Sequence, residues 1–339
     1  METKTTLSVA LCTCNGEKYI EEQLLSILQQ DLSVDEIVVS DDLSTDSTLD
    51  IVRNIASSTS VPIRILTNDT SSHYGVCANF EKAINATTGD IIFFSDQDDV
   101  WMPYKTKIIK DWFEHHMDKQ LVFTNAFLID DKGIRFMDNE SNVLSMVSNL
   151  QTSDNVLEQL CESNYMLEAF LNGNICTGAT MAGKRSFVRG LPLLRLGEGK
   201  LHHDAILALL GIEQHTIGYC PQKTIEYRLH PQQVCGMPVR NNHVCMRQIR
   251  HFLPPLGSYL TCVNYELWPI SADTKRRIRF YNDRYNLINV KYQWRAIEVY
   301  YKVYGNLYLW WIDICYGIQK FLRRILFYIK KNLILNTIL

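Results

Sequence analysis

Four short apolar segments alternate with three amphipathic segments over residues 7–94, and this alternation constrains the fold more than any other feature of the chain. The apolar segments cover residues 7–12, 36–40, 63–66 and 91–94. The intervening segments have apolar residues at helical spacing, and they cover residues 20–30, 47–56 and 79–86. Strands that alternate with helices in this way predict an α/β fold with a mostly parallel sheet flanked by helices.

The fourth apolar segment runs directly into Ser-Asp-Gln-Asp-Asp-Val-Trp, which contains Asp96, Asp98 and Asp99. Carboxylates crowded at a strand end repel each other unless a cation lies among them. Hard divalent cations prefer oxygen ligands and commonly bind substrate phosphates as well. Ligands of open α/β sheets bind beyond the carboxyl ends of the strands. The segment therefore predicts a site for Mg²⁺ or Mn²⁺ and a diphosphate, with a solvated acidic turn as the alternative.

The second apolar segment also ends in carboxylates, Asp41 and Asp42. Asp46 follows in a Ser/Thr/Asp cluster that is typical of a helix N-cap, and capping accounts for it fully. Capping needs only one acceptor, so Asp41 and Asp42 suit the imide N–H of a pyrimidine or the hydroxyls of a ribose. The turn after the first strand lacks a Gly-x-Gly-x-x-Gly run, which disfavours a dinucleotide-binding site.

Two further segments carry residues suited to chemistry. A helix is predicted to begin at His202, and Asp204 in its first turn either complements the helix dipole or serves as a general base. His203 either orients that carboxylate or is a surface histidine. Arg228 and His230 alternate onto one side of an extended chain. Arginine suits a diphosphate, and the histidine either completes a metal shell or has no ligand role.

Composition sets broad limits on the class of protein. The chain has 339 residues, 46% of them hydrophobic, and a formal net charge of −3, so nothing draws it as a whole toward nucleic acid. Its ten cysteines contain no Cys-x-x-Cys pair, which favours reduced thiols in a cytosolic enzyme. The N-terminus lacks the apolar core of a signal peptide. Residues 131–165 are polar and predict a loop that shapes an acceptor site.

The C-terminal segment differs from the rest of the chain. Residues 303–322 are rich in Trp and Tyr, and basic pairs follow at Arg323, Arg324 and at Lys330, Lys331. These pairs share one helix face opposite Leu and Ile, which predicts an amphipathic helix on an anionic membrane. An ordinary packed helix pair is the alternative. Asp313 lies in the middle of the window that is long enough to span a bilayer, so a transmembrane helix is disfavoured.

Taken together, the motifs resemble glycosyltransferase family 2, and most closely its rhamnosyltransferase-like bacterial members that build surface polysaccharides. The resemblance rests on residues 13–20 (Thr-Cys-Asn-Gly-Glu-Lys-Tyr-Ile), 41–46 (Asp-Asp-x-Ser-x-Asp), 79–83 (Asn-Phe-Glu-Lys-Ala), 95–101, 173–181, 203–204 (His-Asp) and 227–230 (Tyr-Arg-x-His). It extends to about residue 235. The Gln-x-x-Arg-Trp signature of processive synthases is absent, which favours transfer of one sugar per event.

The resemblance implies a GT-A fold over residues 1–235, with a nucleotide-sugar-binding part at 1–128 and an acceptor-binding part at 129–235. A helical region over 236–339 would follow, with 303–339 as its membrane-associating segment. The resemblance also implies inverting, metal-dependent transfer from a nucleotide-diphosphate sugar to a saccharide acceptor, which is expected to be lipid-linked, at the inner face of the cytoplasmic membrane.

Site roles follow from the same resemblance. Asp41 or Asp42 contacts the base, Asp96 lies on the ribose side, Asp98 binds the metal, and Asp204 is the catalytic base. Asp99 helps through water. The other residues assigned to the nucleotide sugar are Thr13, Asn15, Glu17, Asn79, Gln97 and Arg228. His230 is the second metal ligand, and the supporting residues are Trp101, Gly178 and His203.

Two other classes of protein remain as alternatives. A sugar nucleotidyltransferase also combines a parallel sheet with acid–metal chemistry, but it usually has a Gly-rich basic loop after the first strand. Residues 13–19 contain only Gly16. A noncatalytic membrane-bound scaffold would not need Asp98 and Asp204 together.

Overall fold

The structure is a computed structural model that describes residues 4–137, 143–146, 153–163, 166–172, 174–198, 201–233, 239–240, 243–244 and 268–279. The chain divides into two compact units, residues 1–275 and 276–339. The elements below belong to the first unit. The predicted membrane segment, 303–339, lies outside the described residues, and the predicted division of the chain at residue 235 stays a prediction.

The strands are β1 Leu7–Thr13, β2 Glu36–Asp41, β3 Ile63–Thr67, β4 Ile91–Ser95, β5 Val100–Trp101, β6 Leu121–Ile129, β7 Met181–Lys184, β8 Ile217–Arg228, β9 Val239–Arg240 and β10 His243–Val244. The helices are α1 Ile20–Leu28, α2 Thr48–Ser58, α3 Val76–Ala86, α4 Lys105–His115, α5 Asp154–Cys161, α6 Met166–Asn172, α7 Arg185–Val188, α8 Leu193–Gly197 and α9 His203–Glu213. The four strands and three helices predicted over residues 7–94 are all present, with ends that differ by up to three residues.

Eight strands form one sheet in the order β3-β2-β1-β4-β7-β6-β8-β5. The pairs among β3, β2, β1 and β4 are parallel, as is the pair β6–β8. Strand β7 is antiparallel to both β4 and β6, and β5 is antiparallel to β8. The α/β fold is therefore confirmed, as a mixed sheet whose first half is parallel.

The inner parallel strands β1 and β4 are buried on both faces, which explains why their sequences are almost continuously apolar. Every residue of β1 and of β4 is buried. Strand β1 pairs Thr13 with Asp41 of β2 and Leu11 with Ser95 of β4. This register brings the polar residues that follow the three strands to the same edge of the sheet.

Two antiparallel pairings complete that edge. Phe93 of β4 pairs with Ala182 of β7, so the 3₁₀ turn Gly178–Thr180 before β7 lies at the carboxyl end of β4. Val100 of β5 pairs with Glu226 of β8, which brings the acidic turn before β5 to the carboxyl end of β8. Chain segments more than 100 residues apart therefore meet at one edge.

Part of the region predicted as a C-terminal appendage belongs to the first unit and contacts its helices α8 and α9. The indole N–H of Trp268 donates to the Leu196 carbonyl at 3.1 Å, and the Ser271 amide donates to Glu213 at the end of α9. Within the described ranges, no helix has the length and apolar character needed to cross a bilayer. The six cysteines in those ranges are free thiols.

Candidate active site

The acidic turn between β4 and β5 is enclosed by protein. Asp99 is buried, and Asp96 and Asp98 are half-buried, so a solvated acidic turn is the wrong interpretation. Burial, then the charges of Asp98 and Asp204, raise the pKa of Asp96 to about 7. Burial and the neighbouring carboxylates Asp98 and Asp96 also raise the pKa of Asp99. A bound cation would relieve this repulsion.

Asp98 and His230 are in contact. The Nε2 atom of His230 lies 2.8 Å from Oδ2 of Asp98, and its ring packs on Tyr19 with the ring centroids 5.0 Å apart. The pairing of β5 with β8 brings these two residues together across 132 positions of sequence. A carboxylate beside an imidazole is a donor set that fits a divalent cation whose remaining positions are filled by water and phosphate. Within the described ranges, no group of three such side chains surrounds a common point.

Arg228 is buried and donates its hydrogen bonds to acceptors within the protein. Its Nε donates to the Asp98 carbonyl at 2.7 Å, and its Nη2 donates to Glu22 at 2.6 Å. Its backbone amide donates to Asp99 Oδ1 at 2.9 Å, and its guanidinium lies over the Tyr19 ring. Arg228 therefore anchors the acidic turn to α1 and β8, and its contact with a diphosphate stays a prediction.

Asp204 lies in the first turn of α9, as predicted. Its Oδ2 accepts hydrogen bonds from the Gly178 amide and the Asn174 side chain, each at 3.2 Å, and Oδ1 accepts from the Ala205 amide at 2.7 Å. Burial raises the pKa of Asp204, although His202 and these hydrogen bonds oppose the increase. A carboxylate whose pKa is raised while it stays partly exposed suits a general base.

His203 is buried, so the alternative of a surface histidine is wrong. Its ring stacks on Phe80 with the centroids 3.6 Å apart and meets the edge of Phe94. Neither ring nitrogen has a hydrogen-bond partner, so it does not orient Asp204 through a hydrogen bond. A Cβ atom on Gly178 would lie 2.7 Å from its Nε2, so this packing requires glycine there. Burial, with a smaller contribution from His202, lowers the pKa of His203 to about 3.

The depressed pKa of His203 predicts how stability depends on pH. The unfolded chain binds this proton below about pH 6.5, whereas the folded protein excludes it until about pH 3. The free energy of unfolding should therefore fall as pH decreases across that window, by up to about 1.4 kcal/mol per pH unit from this residue. Urea unfolding of wild type and His203→Phe between pH 7 and 4 measures the difference. The control His115→Gln removes an exposed histidine and should keep the wild-type slope. Parallel curves for wild type and His203→Phe would contradict the prediction.

The side chains at the carboxyl ends of β1 and β2 form hydrogen bonds within the loops that follow these strands. Asp41 accepts hydrogen bonds from the hydroxyls of Thr13 (2.7 Å) and Ser44 (2.6 Å). The Oδ1 atom of Asn15 accepts a hydrogen bond from the Thr45 amide at 2.8 Å, and the backbone amide of Asn15 donates to the Ser44 hydroxyl. Thr13, Asn15 and Asp41 thus fix the shape of the loop, and their contact with a nucleotide stays a prediction.

Asp42 orders the loop that follows β3. Its carboxylate accepts hydrogen bonds from Asn68 and from the amides of Tyr74 and Gly75, at 2.7–2.9 Å. Leu43, beside it, has φ of 60°, a left-handed conformation that a branched side chain rarely adopts. The hydrogen bonds of Asp41 and Asp42 hold this residue in place.

Glu17 and Asp46 join the starts of α1 and α2. The Glu17 carboxylate accepts from the Ser47 amide at 3.0 Å, and the Glu17 amide donates to Asp46. Asp46 also accepts from the Thr48 amide, as the capping interpretation predicted. Burial acts to raise the pKa of Asp46, but these hydrogen bonds have the larger combined effect and lower the pKa below its usual value.

Three more predicted residues connect the acidic turn to its surroundings. The side-chain amide of Gln97 exchanges two hydrogen bonds with the backbone of Cys14, at 2.8 and 3.1 Å. Asn79 is buried and donates to the Ser40 carbonyl at 2.9 Å, while its Oδ1 has no partner. Trp101 is buried against Phe93. By contrast, the Asp96 carboxylate accepts no hydrogen bond from the part of the chain that the structure describes.

Sequence reasoning missed Lys105 and Glu22. Lys105 is fully buried at the start of α4, and burial lowers its pKa to about 7 although Asp99 and Asp96 oppose the decrease. The signal that identifies it is spacing, because Lys105 shares the inward row of α4 with Ile109 and Phe113. Glu22 gives no such signal, since its partner Arg228 is 206 residues away.

A cavity of about 750 Å³ lies at the opposite edge of the sheet, beside the start of β4 and the end of β7. Its lining includes Asp90, Lys110 and Lys184, and none of the acidic residues described above. We assign the site to the carboxyl edge because the partly exposed carboxylates and the shifted pKa values are found there.

Comparison with known proteins identifies the family. The sequence model of glycosyl transferase family 2 matches residues 8–190, more than half of the chain. The chain belongs to this family. The predicted family is therefore confirmed, and the match favours a glycosyltransferase over the two alternative classes.

Curated relatives of this family 2 member cover its N-terminal part. The putative glycosyltransferase EpsE of Bacillus subtilis is 31% identical over 129 residues, 38% of this chain and 46% of the relative. The dTDP-rhamnosyl transferase RfbG of Shigella flexneri is 44% identical over 120 residues, 34% of this chain and 38% of the relative. The chain thus spans less than half the length of either relative.

Solved structures support the fold. The mannosyltransferase PcManGT from Pyrobaculum calidifontis in complex with GDP-Man and Mn²⁺ is 18% identical, with a TM-score of 0.53 over 85% of this chain and 71% of that one. The structure of S. aureus TarS 1-349 in complex with UDP-GlcNAc is 16% identical, with a TM-score of 0.51 over 83% of this chain and 72% of that one. These similarities confirm the predicted GT-A fold.

Proposed function

We propose that this protein is an inverting, metal-dependent glycosyltransferase that moves one sugar from a nucleotide-diphosphate sugar to a saccharide acceptor. One observation carries the proposal: the Gly178 amide donates to Asp204 at 3.2 Å, and the turn that contains Gly178 lies at the carboxyl end of β4, where the acidic turn begins. The candidate base and the acidic turn therefore lie at the same edge of the sheet, close enough for the charge of Asp204 to raise the pKa of Asp96. The carboxylates of Asp96, Asp98 and Asp204 are partly exposed there, whereas Asp41, Asp42 and Asp99 are buried.

Asp204 is the proposed general base. Its carboxylate takes the proton of the acceptor hydroxyl as that oxygen attacks C1 of the donor sugar. The new C1–O bond forms on the face opposite the C1–O bond to the diphosphate, which breaks and releases the nucleoside diphosphate. Because there is a single in-line displacement, the configuration at C1 inverts, and no second carboxylate nucleophile is needed. The hydrogen bonds from Gly178 and Asn174 orient the carboxylate for this role.

Asp98 and His230 are the proposed metal ligands on the donor side. When bound, Mg²⁺ or Mn²⁺ would supply positive charge that neutralises the leaving diphosphate. Asp96, which has no protein partner among the described residues, is free to accept hydrogen bonds from the donor's ribose. The loops built by Thr13, Asp41 and Asp42 supply the wall beside it. The assignment to a nucleotide sugar agrees with the donors named for PcManGT and TarS.

A donor screen tests the proposal. Purified protein is incubated with a panel of nucleotide sugars, each with EDTA, Mg²⁺ or Mn²⁺, and released nucleoside diphosphate is measured. The panel includes dTDP-rhamnose because of the identity to RfbG. We expect at least one donor to bind and to be consumed only with metal. Failure of every donor to bind with either metal would contradict the proposed function.

We also propose that the acceptor is lipid-linked and that residues 303–339 dock the protein on the inner face of the cytoplasmic membrane. Each basic side chain near an anionic surface contributes on the order of 1 kcal/mol to binding. Wild-type protein should therefore co-sediment with anionic liposomes and be partly released by high salt.

Replacing Arg323, Arg324, Lys330 and Lys331 with Gln should weaken this sedimentation and leave hydrolysis of the donor sugar intact. Neutral liposomes are the matched control for the wild-type protein. Equally poor sedimentation of wild type and the quadruple variant on anionic liposomes would mean that the segment is a packing element.

A further inference from the structure

Lys105 is a buried cation without a paired carboxylate. Its ammonium group donates to the Ala179 carbonyl at 2.8 Å and lies 4.1 Å from the centroid of the Trp101 ring. No carboxylate of the described residues lies within ion-pair distance, although Asp99 and Asp96 are near enough to act on its charge. A buried ammonium costs desolvation free energy, so an apolar residue of the same length would suit this interior position better on stability alone.

The two partners of the ammonium belong to opposite halves of the site. Trp101 closes the acidic turn, whose Asp98 contacts His230. Ala179 lies in the 3₁₀ turn next to Gly178, and the Gly178 amide donates to Asp204 at 3.2 Å. Lys105 therefore makes a hydrogen bond to the segment that orients the candidate base. It also packs on Trp101, at the end of the acidic turn.

We propose that Lys105 is a positioning residue that holds the Gly178–Ala179 segment at a fixed separation from the acidic turn, so that Asp204 meets the acceptor hydroxyl in line with the bound donor. The inference rests on the proposed function, because it takes Asp204 as the base. A substitution remote from the reacting atoms that displaces a catalytic group by about 1 Å can lower the rate about 10²-fold. A positioning role also accounts for a lysine where packing alone favours an apolar side chain.

The variant Lys105→Met keeps the length and removes both the charge and the hydrogen bond. The matched control is Lys107→Met on the same helix, where the lysine is exposed and pairs with Asp111. We expect Lys105→Met to lower kcat about 10²-fold relative to Lys107→Met. Its Tm should be unchanged or higher, since a buried charge is removed. The affinity for nucleoside diphosphate with Mg²⁺, measured by calorimetry, should not weaken, because the loss of a cation beside Asp96 and Asp99 does not disfavour binding of another.

The combination of lost kcat with retained Tm and retained diphosphate binding is the result that a merely structural lysine would not give. A kcat within about threefold of the control would overturn the proposal. If Lys105→Met does not fold, Lys105→Gln is the second variant, and parallel losses of Tm, diphosphate binding and kcat in it would equally overturn the proposal. Absence of transfer by the wild-type protein would instead contradict the proposed function, so the two failures are distinguishable.

Discussion

Replacing Asp204 with asparagine is expected to lower the rate of sugar transfer by about 10²-fold or more, the usual effect of losing a general base. Asparagine keeps the shape of the side chain and can still accept the hydrogen bond from the Gly178 amide. It cannot take a proton from the acceptor hydroxyl. Single-turnover transfer with the donor found in the screen measures the effect.

The control for this variant is donor binding. Asp204 is assigned to the acceptor side, so calorimetry should give the wild-type affinity for nucleoside diphosphate with metal. Loss of that affinity in a variant with the wild-type Tm would mean that Asp204 belongs to the donor site or is structural.

Replacing Asp98 with alanine should reduce transfer to the detection limit and weaken metal-dependent binding of nucleoside diphosphate. The variant removes the carboxylate that contacts His230 at 2.8 Å, and with it half of the donor set proposed for the cation. The diphosphate then lacks its counter-ion, both when it binds and when it leaves. Calorimetry with and without EDTA measures the binding.

Asp118→Ala is the matched control, because it removes an exposed carboxylate that pairs with Lys119 and is not part of the acidic turn. It should leave both transfer and binding unchanged. An unchanged metal-dependent affinity in Asp98→Ala would remove Asp98 from the metal site and leave His230 without its proposed partner.

Much of this arrangement was predictable because it is periodic or local. Continuous apolar runs predict buried parallel strands, and the alternation with helices orders them. The position of Asp204 in a first helical turn follows from the Leu-His-His-Asp sequence before an apolar helix. The acidic turn was identifiable because three carboxylates in four positions are costly without a partner.

The remainder was not predictable, because it depends on contacts between distant segments. Two of the donors to Asp42 are backbone amides of a loop more than 30 residues away, and loop conformations carry no period. The insertion of β7 between β4 and β6 reverses the strand direction without any sequence signal that we recognise. Burial of Lys105 contradicts the usual exposure of lysine, so its inward spacing alone was insufficient.

The pairing of β5 with β8 has a consequence for how the protein folds and how it can be divided. Strand β5 ends at Trp101, whereas its partner residues in β8 are Ile225 and Glu226. Contacts between residues so far apart in sequence have a high entropy cost of loop closure, and we therefore expect them to form late in folding. During synthesis, the acidic turn therefore waits for more than 100 further residues before Arg228 and His230 can close it. A fragment cut after the family match, at residue 190, would retain the parallel strands β1 to β4 but lose β8. The edge of β6 would then be unpaired, and such edges promote aggregation.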